Sequence, residues 1–282
     1  MAELNLCDYH IHTRYSSDST EEPENIIRHA IELGLDEICF TDHTDLDYPE
    51  TPDYENPAFV FDTVAYYKEI SELRNKYSGK IKIKIGVELG LMPYLAARNE
   101  AVASGVPFDF IIGSTHLIDG KDPYYPEFWE GYSCDDVVAL YFEKTLENIK
   151  SYNNYDVYGH LDYITRYAPD KAYQFDYRRH SEIIDCILKE IIHTGHGIEI
   201  NTSPLNKGLS QTNPCPEIVK RYRELGGEII TIGSDAHTAV NVGGHFDATR
   251  DILLSSGFKY YTVFTDRKKE STIQGVKRKK TR

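Results

Sequence analysis

Histidines and carboxylates stand directly behind short apolar runs at six places in this chain. The first is Asp8-Tyr9-His10-Ile11-His12. In extended backbone, residues i and i+2 project to the same side, so His10 and His12 can share one ion. Then come Thr41-Asp42-His43, Gly86-Val87-Glu88, Ser114-Thr115-His116, Tyr158-Gly159-His160 and Gly233-Ser234-Asp235-Ala236-His237. Each alone could be an ordinary, satisfied polar group at a strand end. Together they hold six of the eleven histidines. The other five, His29, His180, His193, His196 and His245, lie in helical or loop contexts and read as structural or exposed. Imidazole and carboxylate without thiolate suit Zn, Mn or Fe at an exchangeable, catalytic centre. Nine donors, Asp42 included, are too many for one ion. Two or three divalent ions sharing a bridging carboxylate is the economical arrangement. Three such ions with three carboxylates leave roughly three positive charges to draw in a phosphate dianion.

These donors need a scaffold that brings strand ends together. Strands are expected at Leu4–Tyr9, Glu37–Thr41, Ile81–Val87, Phe110–Gly113, Asp156–Tyr158, Ile198–Ile200 and Ile229–Ile232, with a further one at Tyr260–Phe264. Between them Glu24–Leu33, Asp62–Tyr77, Asp135–Ser151, Arg178–Thr194 and Pro216–Leu225 have helical spacing. Gly34, Gly195 and Gly226 follow three of these as stop signals. Strands alternating with helices argue for an α/β fold with a parallel sheet. Six of the seven main strands lead into a donor, and the remaining one ends at Asn201. An open sheet gathers ligands at one switch point, whereas a barrel converges every strand end on one mouth. The pattern therefore favours a seven-stranded, TIM-like (βα) barrel, taken as one domain over residues 1–266 with a basic tail over 267–282.

Composition sets limits on the function. The chain has 282 residues, 40% of them hydrophobic, and a net charge of −14. That surface repels polyanions, so no nucleic-acid partner is expected, and the basic tail reads as solvated. No apolar run is long enough to cross a bilayer, and no signal peptide precedes the first strand, so the expected location is cytoplasmic. Cys7, Cys39, Cys134, Cys186 and Cys215 form no C-x-x-C pair and read as reduced, mostly buried thiols. The oligomeric state is not legible.

The ordered set H-x-H, T-D-H, G-V-E, S-T-H, G-H-x-D and S-D-A-H, spread from Asp8 to about His245, resembles the PHP family, named for polymerase and histidinol phosphatase. Within it, D-Y-H-I-H-T-R-Y-S, F-D-F-I-I-G-S-T-H and D-V-Y-G-H-L-D-Y look like the stand-alone histidinol phosphatases. The resemblance implies a distorted seven-stranded barrel and a trinuclear metal centre. It places His10, His12, Glu88 and Asp235 on a first ion, and Glu88, His116 and His160 on a second. His43 and His237 go to the third. Many members carry a histidine soon after the H-x-H as the third ion's remaining ligand. Here the segment reads Tyr15-Ser16-Ser17-Asp18, and Asp18 is the expected substitute, or else a helix cap.

The activity so implied is hydrolysis of a small phosphate monoester, L-histidinol phosphate first, in histidine biosynthesis. Asp42 is the expected proton carrier or an orienting group for His43. Arg14 and Arg166 each either clasp the phosphate, Arg166 then also serving catalysis, or form a surface ion pair, and Ser234 is expected to bind substrate. The acidic loop of Asp45, Asp47, Glu50, Asp53 and Glu55 could read an ammonium group or be plainly solvated. The alternatives are a nuclease or nucleotide phosphoesterase of the same family, and a non-catalytic metal-binding regulatory domain.

Overall fold

A computed structural model describes residues 6–170 and 172–270. Strand and helix alternate as β1 (Cys7–Ile11), α1 (Pro23–Leu33), β2 (Glu37–Phe40), β3 (His43–Thr44), α2 (Thr63–Lys76), β4 (Lys82–Gly90) and α3 (Ala96–Ala103). There follow β5 (Phe110–Ser114), α4 (Cys134–Ser151), β6 (Val157–Tyr158), α5 (Ser181–His193), β7 (Gly197–Asn201), α6 (Ser203–Asn206), α7 (Pro216–Glu224), β8 (Ile230–Gly233), α8 (Phe246–Ser255), β9 (Val263–Thr265) and β10 (Lys268–Glu270). Local chemistry explains the helix limits. Pro23 opens α1, whose Ile26, Ile27 and Ala30 form its buried stripe, and left-handed Gly34 closes it. The Asp62 carboxylate caps α2 by accepting from the Val64 and Ala65 amides, and Ser133 caps α4.

Strands β1-β2-β4-β5-β6-β7-β8 run parallel in that order, and β3 pairs with β4 beyond the end of β2. The sheet curls into a nearly closed seven-stranded parallel barrel with helices outside. Its last seam lies between β8 and β1, and it is sewn by the backbone just past β8. Asp235 N donates to His10 O at 2.8 Å and His12 N to Ala236 O at 2.9 Å. Below them the Asp8 carboxylate accepts from Ser234 N at 2.9 Å, Ser234 Oγ at 2.5 Å and Gly243 N at 2.8 Å. Burial pushes the Asp8 carboxyl up to about 6, with these hydrogen bonds pulling the other way. The closing stitches thus set the segments bearing His10, His12, Asp235 and His237 against one another.

At the opposite end, Asp109 accepts from Ile85 N and Arg74, and Asp156 accepts from Ile111 N at 2.8 Å and Arg267 Nε at 2.6 Å. The core between consists of buried aliphatics and aromatics, Ile38, Ile85, Phe110, Ile112, Val157 and Ile198 among them. Of the basic stretch expected as a tail, Arg267 is thus anchored on Asp156. Lys268–Glu270 form β10, paired antiparallel with β9. Ser271–Arg282, like Leu4 and Asn5 of the expected first strand, lie outside the described residues.

Several boundaries differ from the sequence reading. Strand β1 starts later and contains His10, because its pairing with β2 continues through Ile11. The run at Tyr260–Phe264 becomes β9, which belongs to the end hairpin and not to the barrel. Helices α3 and α6 are too short to display a full periodic stripe in sequence. All five cysteines are free, with Cys7, Cys39 and Cys215 buried. Among the described residues no helix is long and apolar enough to cross a membrane.

The barrel is narrow where it meets the site. A Cβ at Gly233 would stand 2.3 Å from Glu199 Oε1 and 2.3 Å from His10 Cβ, and one at Gly90 would stand 1.8 Å from Asp45 Oδ1. Gly233→Ala is therefore expected to cost about 1–3 kcal/mol through overpacking. Urea denaturation should show the lowered midpoint, and far-UV circular dichroism should show the secondary structure retained.

Candidate metal centre

The Glu88 side chain, delivered by β4 to the barrel mouth, is fully buried and ringed by imidazoles. Its Oε2 lies 3.0 Å from His10 Nε2, 3.1 Å from His43 Nδ1 and 3.5 Å from His12 Nε2. Its Oε1 lies 2.9 Å from His160 Nε2 and 3.2 Å from His116 Nε2, and accepts a hydrogen bond from Ser114 Oγ at 2.6 Å. Burial alone would raise this carboxyl. The charges of His10, His116 and His43 outweigh burial and hold it well below its ordinary range.

The remaining donors complete a continuous cluster. Asp235 Oδ1 is 3.3 Å from His12 Nε2 and 3.8 Å from His10 Nε2. Asp18 Oδ2 is 2.9 Å from His237 Nε2 and 3.8 Å from His43 Nε2. The rings of His12 and His43 stack at 4.2 Å, and so do those of His12 and His237. All nine residues expected as ligands, His10, His12, Asp18, His43, Glu88, His116, His160, Asp235 and His237, therefore meet at one end of the barrel. His160 and Asp235 hold left-handed backbone, at φ 22° and 52°. Non-glycine residues take that region at a cost, and both are held there by amide hydrogen bonds.

The donor set fits divalent cations. Triplets such as His10, His12 and Glu88, or Glu88, His116 and His160, bring one ligand atom each to within 4.8 Å of one another. His12 Nε2 and His43 Nδ1 are buried and make no hydrogen bond. Buried imidazole nitrogens facing carboxylates without a donor between them are what a shared cation satisfies. Around the cluster, Asp45 Oδ1 lies 2.8 Å from His116 Nδ1, directing the opposite nitrogen toward Glu88. Burial would raise Asp45, but the charges of His116 and His43 hold it down at about 2.

Other expected residues are placed differently. The Asp42 carboxylate faces away from the cavity and accepts from Thr13 N at 2.6 Å, Thr13 Oγ1 and Ser16 Oγ at 2.8 Å. Burial pushes it up to about 6, yet it pins the loop after β1 and does not reach the cavity where a proton would move. Ser234 is spent on Asp8 and is fully buried. Arg14 pairs on the outside with Glu22 at 2.8 Å and Glu69 at 2.7 Å. Both point away because side chains adjacent along extended chain, or beyond its turn, leave the face that His12 and Asp235 share. Arg166 does line the cavity, donating to Asn213 Oδ1 at 2.6 Å, Asn201 Oδ1 at 3.0 Å and Asp235 Oδ2 at 3.1 Å. Of the acidic loop, Asp45 and Asp53 face the cavity, whereas Asp47 pairs with Arg98.

The cavity itself measures about 450 Å³. Its wall combines Asp18, His43, His116, His160, Asp235 and His237 of the donor set with Arg166 and Lys207, with Asp53 and Asp122, and with Tyr48, Tyr54, Phe59 and Tyr124. Asp122 accepts from Tyr48 OH at 2.6 Å and from Tyr124 N at 2.8 Å. Sequence reasoning missed Asp122, Lys207 and Glu199, the last a buried carboxylate 2.6 Å from His10 Nδ1. A signal for Glu199 exists in Gly197-Ile198-Glu199-Ile200-Asn201, where alternation places Glu199 and Asn201 on one face of an otherwise apolar strand.

Known proteins resemble this chain over most of its length. A histidinol-phosphatase of Lactococcus lactis subsp. lactis is 31% identical over 273 residues, covering 96% of this chain and 98% of the relative. A probable histidinol-phosphatase of Clostridium acetobutylicum is 36% identical over 239 residues, covering 85% and 89%. The crystal structure of the Lactococcus lactis histidinol phosphate phosphatase, complexed with Zn, L-histidinol and phosphate, superposes with a TM-score of 0.86 at 30% identity. It covers 95% of this chain and 100% of that one. The family model for the PHP domain matches residues 8–203, which carry seven of the nine clustered donors, Asp235 and His237 lying beyond. The chain belongs to the PHP domain family.

Proposed function

We propose that this protein hydrolyses a small phosphate monoester, L-histidinol phosphate, at a centre of two or three divalent ions drawn from Zn, Mn and Fe. The observation that carries this reading is the convergence of five imidazoles on Glu88 at the floor of a cavity sized for a metabolite. It is supported by likeness to a phosphatase crystallised with Zn, L-histidinol and phosphate. His10, His12, Glu88 and Asp235 would hold a first ion, Glu88, His116 and His160 a second, and Asp18, His43 and His237 a third. Such ions supply a water acidified toward neutral pH and positive charge for the phosphoryl oxygens.

The chain's own groups do the rest. Arg166 is held rigid by Asn213, Asn201 and Asp235, and its guanidinium has more N–H groups than these partners use. The spare N–H groups orient a phosphoryl oxygen. Tyr163 lies beneath that guanidinium at 5.0 Å and also packs on His116 and His160, so it fixes the depth at which the phosphoryl group sits. The acidic and aromatic wall of Asp53, Asp122, Tyr48, Tyr54 and Phe59 suits a cationic alcohol bearing a flat ring, which describes histidinol. The acidic surface, at a net charge of −14, gives a nucleic acid no comparable welcome. Phosphate release measured across metabolite monoesters tests the reading directly. Histidinol phosphate should be turned over best, and preference for single-stranded DNA would sink it.

Two further outcomes are expected. Exhaustive chelation should abolish turnover, and adding back Zn, Mn or Fe should restore it; full activity in protein free of metal by elemental analysis contradicts the proposal. Glu88→Gln keeps the shape but removes the charge that serves several imidazoles and two ions. Turnover should fall by roughly a thousand-fold or more with the fold intact. Glu100→Gln on the exposed side of α3 should leave kinetics and bound metal unchanged.

A further inference from the structure

Strand β7 contributes none of the nine proposed ligands, yet it sends a carboxylate into the centre of the barrel. Glu199 is buried, and both of its oxygens are engaged. Oε1 lies 2.6 Å from His10 Nδ1. Oε2 accepts from the His160 amide at 3.0 Å and from Asn201 Nδ2 at 3.2 Å. The neighbouring strand β8 makes room for it. A Cβ at Gly233 would stand 2.3 Å from Oε1. No other residue type at position 233 leaves that space.

Each contact has a consequence for a ligand. A carboxylate against Nδ1 keeps the proton there, so the His10 lone pair sits on Nε2, which faces Glu88 and Asp235. The second oxygen holds the His160 amide while that residue sits at φ 22°, so the strained turn that aims its ring at Glu88 depends on the same group. His10 comes from β1 and His160 follows β6. Asn201, two residues along β7, extends the link to Asp235 Oδ2 at 3.2 Å.

We propose that Glu199 is a positioning residue that couples the two ions sharing Glu88, by setting the His10 tautomer and the His160 backbone at once. The inference rests on the metal-centre reading given above. It has a selective consequence, because the remaining set of Asp18, His43 and His237 makes no hydrogen bond or ion pair with Glu199. Glu199→Gln cannot satisfy both contacts. With its carbonyl oxygen toward His10, its amide opposes the His160 N–H. Turned over, its amide forces the His10 proton onto Nε2.

The test loads wild type and Glu199→Gln with Zn, removes excess metal, and follows release to a chromogenic zinc chelator, with elemental analysis at the end. Two ions of the variant should leave roughly 10–100-fold more readily than in wild type, the remainder at the wild-type rate. Thermal melting of the metal-free proteins should be similar. Release indistinguishable from wild type overturns the inference. So does uniform loosening of all metal matched by an equally destabilised metal-free protein, which is what a merely structural carboxylate produces. Should Glu199→Gln not fold, Glu199→Asp, one methylene shorter at the same charge, decides: selective loss of two ions supports the coupling and wild-type release overturns it. A wild type that retains no divalent ion removes the metal-centre reading and this inference together. A metal-loaded wild type matched by its variant removes the inference alone.

Discussion

Five imidazoles gathered around one buried carboxylate form an arrangement that water could not be excluded from cheaply without strong internal pairing. Glu88 supplies that pairing, with Oε1 facing His116 and His160 and Oε2 facing His10, His12 and His43. Desolvation disfavours its charged form, and the surrounding rings more than reverse the effect. The same rings diverge in their own tendencies. Burial would lower both His10 and His12; the charges of Glu199 and Glu88 hold His10 well above its ordinary range, whereas neighbouring His43 and His237 leave His12 well below. A ring ligates a cation only as its neutral form, so a cation entering this cluster displaces protons and takes over the pairing that the imidazoles give Glu88.

Barrel closure and site assembly are one event. The seam between β8 and β1 is completed by backbone bonds from the residues that carry the donors, not by a ladder within the strands. Asp8 underneath stitches Ser234 and Gly243, and so fixes the turn from which Asp235 and His237 project. The left-handed backbone at His160 and Asp235 is strain that the surrounding hydrogen bonds sustain. Stability is thereby committed to the geometry of the mouth, while the distal end is tied by the Asp109 and Asp156 anchors.

The cavity divides its chemistry by side. Arg166 and Lys207 join the donor cluster, where a phosphoryl group would sit, and the tyrosines with Asp53 and Asp122 form the wall suited to a cationic ring-bearing alcohol. This local arrangement coexists with a net charge of −14 because a bound phosphoryl group meets the nearby cationic groups before it meets the screened surface.

Strand–helix alternation, the parallel barrel and eight of the nine converging donors were legible from the sequence, because donor after donor falls where an apolar run ends and a barrel sends every such end to one place, whereas Asp18 was reached only through the family resemblance. The neighbours of those donors were not legible. Asp42 precedes His43 and Ser234 precedes Asp235, yet adjacent side chains leave opposite sides of the backbone there, Asp235 by way of a left-handed residue that no sequence pattern announces. Of the two readings open for Arg14, the structure has the surface ion pair, because the chain turns after His12 and carries it out to Glu22 and Glu69. Glu199 illustrates the remaining limit. Glu37 is likewise a lone carboxylate in an apolar strand, but it lies at the closed end against Tyr9, whereas Glu199 lies at the mouth against His10. Sequence records that β2 and β7 each carry one carboxylate. Its height along the barrel axis, and so whether it braces a tyrosine or a metal ligand, is decided only by how the strands are staggered in the folded barrel.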